Sequence, residues 1–185
     1  MYTEAAAQGH GQAYYHLALL LQNVRQDVDG AEAAYRAAIA AEPGYASAHS
    51  NLGFLLQHVR EDFDGAEAVY RAATAADPGH ADAHSALGYL LQYERKDIGG
   101  AEAAYRAAIA ADPGYASAHT NLGVLFAQHA EKGEESGGDL SDIAALWVQA
   151  VEHSTNAVSL GFDDQMLNIA KERLARVKRA VVNGP

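Results

Sequence analysis

AEAAYRAAIAADPGYASAH occupies residues 101–119, and residues 31–49 repeat this stretch with a single substitution. A looser copy, AEAVYRAATAADPGHADAH, occupies residues 66–84. One proline marks the same point of each copy at a period of 35 residues: Pro43, Pro78 and Pro113. Three copies at this period indicate a repeat array in which each unit packs on its neighbours, and they argue against a compact enzyme fold.

Each copy predicts a pair of helices. In the first helix of a pair the packing positions recur at helical spacing, as in His49, Leu52, Gly53 and Leu56. The second helix carries a tyrosine and an alanine three residues later, and it ends at an Asp-Pro or Glu-Pro pair such as Asp77-Pro78, because proline cannot continue a helix.

Acidic residues predict where the second helices begin. Asp29 and Asp64 are placed to accept hydrogen bonds from the free amides of the first turn, and Gly99 takes this position in the third copy. Glutamate and arginine four residues apart predict an ion pair on the outer face of each second helix: Glu32 with Arg36, Glu67 with Arg71, and Glu102 with Arg106.

The spaced pattern as a whole resembles the tetratricopeptide repeat (TPR) family. The matching positions are Leu52-Gly53, Leu56, Ala66, Tyr70, Ala73 and Pro78, and they recur 35 residues later. The tryptophan usual near the start of the first helix is replaced by Tyr14, His49, His84 and His119, and the period exceeds the usual 34 by one. The opening AAAQGHGQAYYHLALLL also resembles the Sel-like relatives of this family. The resemblance implies an all-α fold, a right-handed superhelix (α-solenoid) of antiparallel helix pairs.

The predicted organisation has three parts. Residues 1–10 are interpreted as the leftover second helix of an incomplete repeat. Residues 159–185 are predicted to form a C-terminal capping helix that Asp163 caps and that extends through Ala180. Between them lie four TPR-like repeats, at residues 11–45, 46–80, 81–115 and 116–158, the last with an acidic, glycine-rich loop insert at 131–142.

Charge and composition exclude several classes of function. The formal net charge of −11 argues against nucleic acid and against anionic membrane surfaces, because both require a basic surface. No stretch approaches the roughly 20 apolar residues of a membrane span, and the chain contains no cysteine for disulfides or thiolate metal sites. A cytoplasmic protein is expected.

The TPR resemblance implies that one side of the first helices lines a concave groove. A helical wheel places a mixture of amide, hydroxyl and aromatic side chains, with one acid and no Lys or Arg, on the side opposite the packing positions. The candidate binding residues are Tyr15, Ser50, Asn51, Phe54, Gln57, Asp82, Ser85, Tyr89, Gln92, Thr120 and Asn121.

This lining suits an extended peptide, because amides pair with a peptide backbone while aromatic rings supply apolar contact. Some TPR domains clamp acidic chaperone tails with basic residues. Asp82 and Ala86 stand where such residues would be expected, so a neutral or basic partner is favoured over an acidic one.

Other chemistry is less consistent with the residues. Equivalent histidines on stacked helices are about 8 to 10 Å apart, too far to share one metal ion, so His49, His84 and His119 are interpreted as packing residues. The Asp-x-Asp-Gly strings at Asp27 and Asp62 lack the bidentate glutamate of a calcium loop. No cofactor, metal or catalytic residue is predicted.

The sequence therefore predicts a non-catalytic interaction scaffold that holds a peptide or a helix in its groove. Three alternatives are open at this point. They are a structural array that self-associates through an exposed N-terminal end carrying Tyr2 and Tyr14, the targeting arm of a larger enzyme, and an RNA-binding helical repeat, which the acidic character disfavours.

Overall fold

The computed structural model describes residues 10–183, which contain nine α-helices and no β-strand. This confirms the predicted all-α class. Nearly all of the predicted leftover helix at residues 1–10, including Tyr2, lies outside the described residues.

The chain divides into two compact units, Met1–Lys96 and Asp97–Pro185. The first unit contains α1 (Gly11–Leu20), α2 (Val28–Ala41), α3 (Ala46–His58), α4 (Phe63–Ala76) and α5 (Ala81–Leu90). The second contains α6 (Ile98–Ala111), α7 (Ala116–Ser136), α8 (Leu140–Ser159) and α9 (Gln165–Asn183). Within each unit consecutive helices pack on each other, and short connections make such neighbours antiparallel. The division into four repeats stays a prediction.

A fully buried aromatic side chain lies at the centre of each second helix: Tyr35, Tyr70, Tyr105 and Trp147. The ring of Tyr70 lies directly against the backbone of α3 at Gly53, where an added Cβ would stand 2.5 Å from Tyr70 Cε1. Glycine is therefore needed at this position, because any side chain would push the ring away. The hydroxyl of Tyr70 donates to Gln57 Oε1 at 3.2 Å, which satisfies its polar end.

The second helices are capped two residues earlier than predicted. Their caps are Asp27, Asp62 and Asp97, whose Oδ1 atoms each accept a hydrogen bond at 2.9 Å from the amide three residues later. The prediction that Asp29 and Asp64 cap these helices was therefore wrong, and so was the expectation that the third copy has only Gly99 as a cap. Two aspartates stand near the start of each of the first two of these helices, and the earlier one, which lies just outside the helix with a non-helical backbone, is the cap.

Asp29 and Asp64 pair instead with arginines that stand just after α3 and α5. Arg60 contacts Asp29 and donates from Nε to Glu32 at 3.1 Å, and Arg95 contacts Asp64 in the same way. The equivalent positions in the second unit are Gly99 and Ala130, so both partners of the pair are replaced together. These exposed ion pairs contribute little energy individually, but they join the outer sides of consecutive repeats.

The predicted i,i+4 pairs on the outer face are present. Glu32 and Arg36 are 3.0 Å apart, and the pairs between Glu67 and Arg71 and between Glu102 and Arg106 are each 2.9 Å apart.

Left-handed residues close three of the first helices. Gln26, Glu61 and Lys96 have φ angles of 53°, 56° and 56°, and they stand at equivalent positions of the repeat. The segments Leu21–Arg25 and Leu91–Arg95 before two of them form π-helical turns. After Gln26 and Glu61, the amide of the next residue donates a hydrogen bond at 2.9 Å to a carbonyl of the final turn. Asp27 donates to Leu21 and Asp62 donates to Leu56, which satisfies an otherwise free acceptor.

The predicted loop at residues 131–142 is mostly helix. Helix α7 continues to Ser136, and α8 begins at Leu140 after a left-handed Gly137 with φ of 70°. The reason lies in the length of the insert: Trp147 follows Tyr105 by 42 residues instead of 35. Seven extra residues add about two turns of α-helix, so the packing face keeps its direction and the helix pair simply becomes longer.

The segment predicted to form a C-terminal capping helix contains α9, which extends to Asn183, and its role as a cap stays a prediction. The amide of Gln165 donates to Asp163 Oδ1 at 2.6 Å. The buried residues of α9 include Leu167, Ala170 and Val177, while most of the lysines and arginines of this helix are exposed. No helix within residues 10–183 is both long enough and apolar enough to cross a bilayer.

Candidate functional site

The open side of the first unit is formed by α3 and α5, and it carries exposed aromatic rings. Phe54 is 50% exposed and Tyr89 is 40% exposed. The residues on the other side of α3, including Leu52 and Gly53, are buried as the helical wheel predicted. The chain therefore places large apolar side chains in solvent on one side of these helices.

Four rings on this side form a continuous series, which we call the aromatic row: Phe54, His58, Tyr89 and Tyr93. The ring centroids of Phe54 and His58 are 4.4 Å apart, those of His58 and Tyr89 are 6.5 Å apart, and those of Tyr89 and Tyr93 are 4.5 Å apart. These separations are close to those of ordinary aromatic contacts. The helical wheel predicts that His58 and Tyr93 lie on the same side as Phe54 and Tyr89, although these two residues are not in the list of candidate binding residues.

Tyr15 and Asn51 bind each other across α1 and α3. The Nδ2 atom of Asn51 donates to the hydroxyl of Tyr15 at 2.8 Å, and the ring of Tyr15 packs on Tyr45 with centroids 5.0 Å apart. Both side chains are partly buried. They hold the two helices together, and each retains some surface on the open side.

Three predicted binding residues are buried. Gln57 is 4% exposed, Gln92 is 3% exposed and Ser85 is also buried, so none of them offers a surface to a partner, and this part of the prediction was wrong. Gln57 is turned inward because the buried hydroxyl of Tyr70 needs an acceptor. The same pair recurs between Gln22 and Tyr35 at 2.8 Å, again 13 residues apart.

The remaining predicted residues are distributed as follows. In the first unit Asp82 is exposed, and Ser50 is partly buried with its hydroxyl lacking a hydrogen-bond partner. In the second unit Thr120 and Asn121 are partly buried, and the hydroxyl of Thr120 donates to the carbonyl of Ala116 at 3.1 Å.

The three repeated histidines have a structural role. Their Nε2 atoms lie near the carbonyl of the proline six residues earlier, at 3.0 Å for His49, 3.1 Å for His84 and 3.3 Å for His119. Each ring thus bridges the turn between two helices and the first helix that follows. In the part of the chain that the structure describes, no three His, Asp or Glu side chains are grouped to hold a metal ion.

His119 has an additional contact with His153 of α8, and their Nδ1 atoms are 3.3 Å apart. If Nε2 of His119 donates to the proline carbonyl, its Nδ1 accepts, and His153 donates to it. Burial lowers the pKa of His153, and repulsion from His119 and Arg106 lowers it further, while Glu152 and Glu102 act in the opposite direction.

The lowered pKa of His153 predicts that the protein loses stability in mild acid. The unfolded chain takes up a proton near pH 6.5, whereas the folded chain resists it until lower pH, so the free energy of unfolding falls as the pH drops below 6.5. Replacing the histidine, as in His153→Asn, is expected to make this fall shallower. Urea denaturation at a series of pH values gives the free energy of unfolding of the unmodified chain and of the variant as a function of pH. Equal slopes for the two proteins would show that His153 does not cause the loss of stability in acid.

Comparison with known proteins agrees with this architecture. Residues 59–116 and the overlapping residues 90–146 each match the model of the tetratricopeptide repeat family. No curated protein sequence matches the chain at a significant level.

Several solved structures are similar in fold. The crystal structure of the MamA protein aligns with a TM-score of 0.69 at 22% identity, over 92% of this chain and 86% of that one. The pilF protein of Pseudomonas aeruginosa aligns with a TM-score of 0.71 at 17% identity, over 93% of this chain and 70% of that one. A MamA structure from Desulfovibrio magneticus, residue 41 to its end, aligns with a TM-score of 0.60 at 20% identity, over 83% and 77%.

These identities show a shared fold and nothing finer. The resemblance of the opening stretch AAAQGHGQAYYHLALLL to Sel-like repeats stays a prediction. The family match shows tetratricopeptide repeats over residues 59–146, and the buried tyrosines and the close approach at Gly53 show the same helix packing earlier in the chain.

Proposed function

We propose that the chain is a non-catalytic module that binds an extended segment of another protein across the aromatic row of its first unit. TPR proteins in general are protein-interaction scaffolds. The observation that supports this use of the present chain is the aromatic row itself, four adjoining rings of which Phe54 is half exposed and Tyr89 is two-fifths exposed. Aromatic residues are enriched at protein interfaces and supply much of the binding energy there.

The aromatic row suits a partner that lies flat across α3 and α5. Its rings provide apolar area at a low cost in side-chain entropy, because an aromatic side chain has only two rotatable bonds to fix.

The charge of the chain favours a neutral or basic segment. The net charge of −11 repels acidic partners at long range. Among the predicted binding residues Asp82 is the charged one, and its sign would repel the carboxylates of an acidic tail. Location in the cytoplasm and a role without any cofactor stay predictions from the sequence.

Retention of peptides from a random library on the immobilised chain tests this proposal. The double variant Phe54→Ser, Tyr89→Ser is expected to weaken binding at least about tenfold, because each aromatic hot spot contributes more than about 1 kcal/mol. Both side chains are exposed, so the variant should keep its fold, which far-UV circular dichroism checks.

A matched control replaces two exposed apolar residues outside the aromatic row, in the variant Val24→Ser, Val148→Ser. This variant should retain the same peptides as the unmodified chain. Equal losses in both variants would mean that binding depends on general surface hydrophobicity, and the proposal would be wrong.

Self-association is the second function that the sequence left open. Two tyrosines are predicted at its interface. Tyr2 is outside the described residues, and Tyr14 is partly buried. Sedimentation equilibrium over a wide concentration range separates the two functions: the proposal expects a monomer whose mass does not change with concentration.

A further inference from the structure

The second unit contains a cavity of about 340 Å³, a size typical of ligand-binding sites. It lies between the start of α7, the end of α8 and the start of α9. Its lining residues are Thr120, Ser154, Ala157, Phe162, Asp163, Gln165, Met166 and Ile169.

A buried hydroxyl in this lining has no partner within the described chain. Ser154 is 4% exposed, and its Oγ makes no hydrogen bond. Burying an unpaired polar atom costs free energy that a small apolar residue at this position would avoid. The hydroxyl of Ser154 faces the backbone of α7 at Gly123, where an added Cβ would stand 2.9 Å from Oγ, so Ser154 forms part of the wall and the ligand contacts come from the other polar groups.

The other polar groups of the cavity mainly accept hydrogen bonds. Thr120 already donates its hydroxyl hydrogen to the carbonyl of Ala116, so its oxygen is left to accept. Asp163 uses Oδ1 to cap α9 at the amide of Gln165, and its second oxygen remains. No Lys, Arg or His is among the lining residues.

The net charge of the lining is negative. The helix start at α9 carries about half a positive charge, which offsets only part of the full negative charge of Asp163. An anion would be repelled, whereas a cation with several N–H groups would find acceptors and an opposite charge.

The remaining walls are apolar and suit an aliphatic chain. Ala157, Met166 and Ile169 offer methyl and methylene groups. The ring of Phe162 lines the same cavity as these residues and the polar groups. An aromatic ring also attracts a nearby cation through its π face. The ligand that matches both parts of the cavity has an alkyl stem and a terminal cation.

We propose that this cavity binds the basic side chain of a protein segment, an arginine or a lysine, with its stem against Met166 and Ile169 and its charged end at Asp163 and the hydroxyl oxygen of Thr120. This site lies in the second unit and shares no residue with the aromatic row. It is independent of the function proposed above, and each is tested with its own variants.

Titration of the full-length, isotope-labelled chain with N-acetyl-arginine amide tests the site by NMR. Its neutral isostere N-acetyl-citrulline amide is the control ligand. Amide signals of cavity residues such as Ser154 and Gln165 should shift with the arginine compound, and the citrulline compound should bind about tenfold more weakly, as expected for loss of a charge-assisted hydrogen bond.

Two aspartates that are adjacent in sequence allow a matched pair of variants. Asp163→Asn removes the charge but keeps a good helix cap, and it should weaken binding of the arginine compound about tenfold. Asp164→Asn makes the same change in net charge outside the cavity lining and should leave binding unchanged.

Three results would overturn the proposal. They are an absence of shifts at the cavity with millimolar arginine compound, equal binding of the citrulline compound, and equal losses in Asp163→Asn and Asp164→Asn. The last result would reduce the effect to the overall charge of the protein.

Discussion

Tyr70→Ala is expected to lower the free energy of unfolding by about 3–5 kcal/mol, the usual cost of emptying a buried aromatic site. The ring is buried and lies in contact with the backbone at Gly53. Its removal would leave a cavity between α3 and α4 and would deprive Gln57 of its donor. Urea denaturation followed by far-UV circular dichroism measures the change.

Tyr70→Phe is the matched control for this prediction. It keeps the ring and removes only the hydroxyl that donates to Gln57, so the expected loss is about 0.5–1.5 kcal/mol. If the alanine variant lost no more stability than the phenylalanine variant, the ring would not hold the two helices together as described.

Trp147→Ala is expected to have an effect of similar size, about 3–5 kcal/mol, in the second unit. Trp147 is the bulkiest of the fully buried side chains, and its indole N–H donates to Glu134 Oε1 at 2.7 Å. The same carboxylate contacts Arg173 and Arg176 of α9. Loss of the indole would therefore loosen α7 and α8 and would leave a carboxylate with one partner fewer.

Glu134→Gln separates these contributions. It keeps an oxygen that accepts from Trp147 and weakens the contacts with Arg173 and Arg176, so its loss in the same denaturation measurement should be clearly smaller than that of Trp147→Ala. Equal losses would mean that the charge of Glu134 supplies the stability, and the packing of the indole would then be secondary.

The main features of the fold could be predicted because they depend on short, repeated spacings. A tyrosine with an alanine three residues later, a Leu-Gly pair and a proline stop define a helix pair whose buried face follows from periodicity alone. The ion pair between Glu32 and Arg36 follows from spacing within one helix in the same way.

Features that depend on two helices were predicted less well. Asp27 and Asp29 are both suited to cap α2. Asp27 is the cap, because Asp29 pairs with Arg60, and this contact with another part of the chain cannot be predicted from spacing within one helix. The loop predicted at residues 131–142 failed for a similar reason. Its glycines and acids are typical of a loop, but its net length of two helical turns lets both α7 and α8 extend.

In the candidate site, too, features set by one helix could be predicted and features that depend on a second helix could not. The exposure of Phe54 and Tyr89 follows from the helical wheel. The burial of Gln57 could not be found from the wheel, because it results from a hydroxyl 13 residues later in another helix. The spacing from Gln22 to Tyr35 and from Gln57 to Tyr70 was visible in the sequence, and it would have identified these glutamines as partners of the buried tyrosines.

If the aromatic row binds a segment of a partner protein, the contact can be located residue by residue. The measurement is NMR mapping of the full chain with the peptide that is retained most strongly from the library. The largest shifts are expected at Phe54, His58, Tyr89 and Tyr93. Shifts confined to other surfaces, such as the basic side of α9, would contradict it.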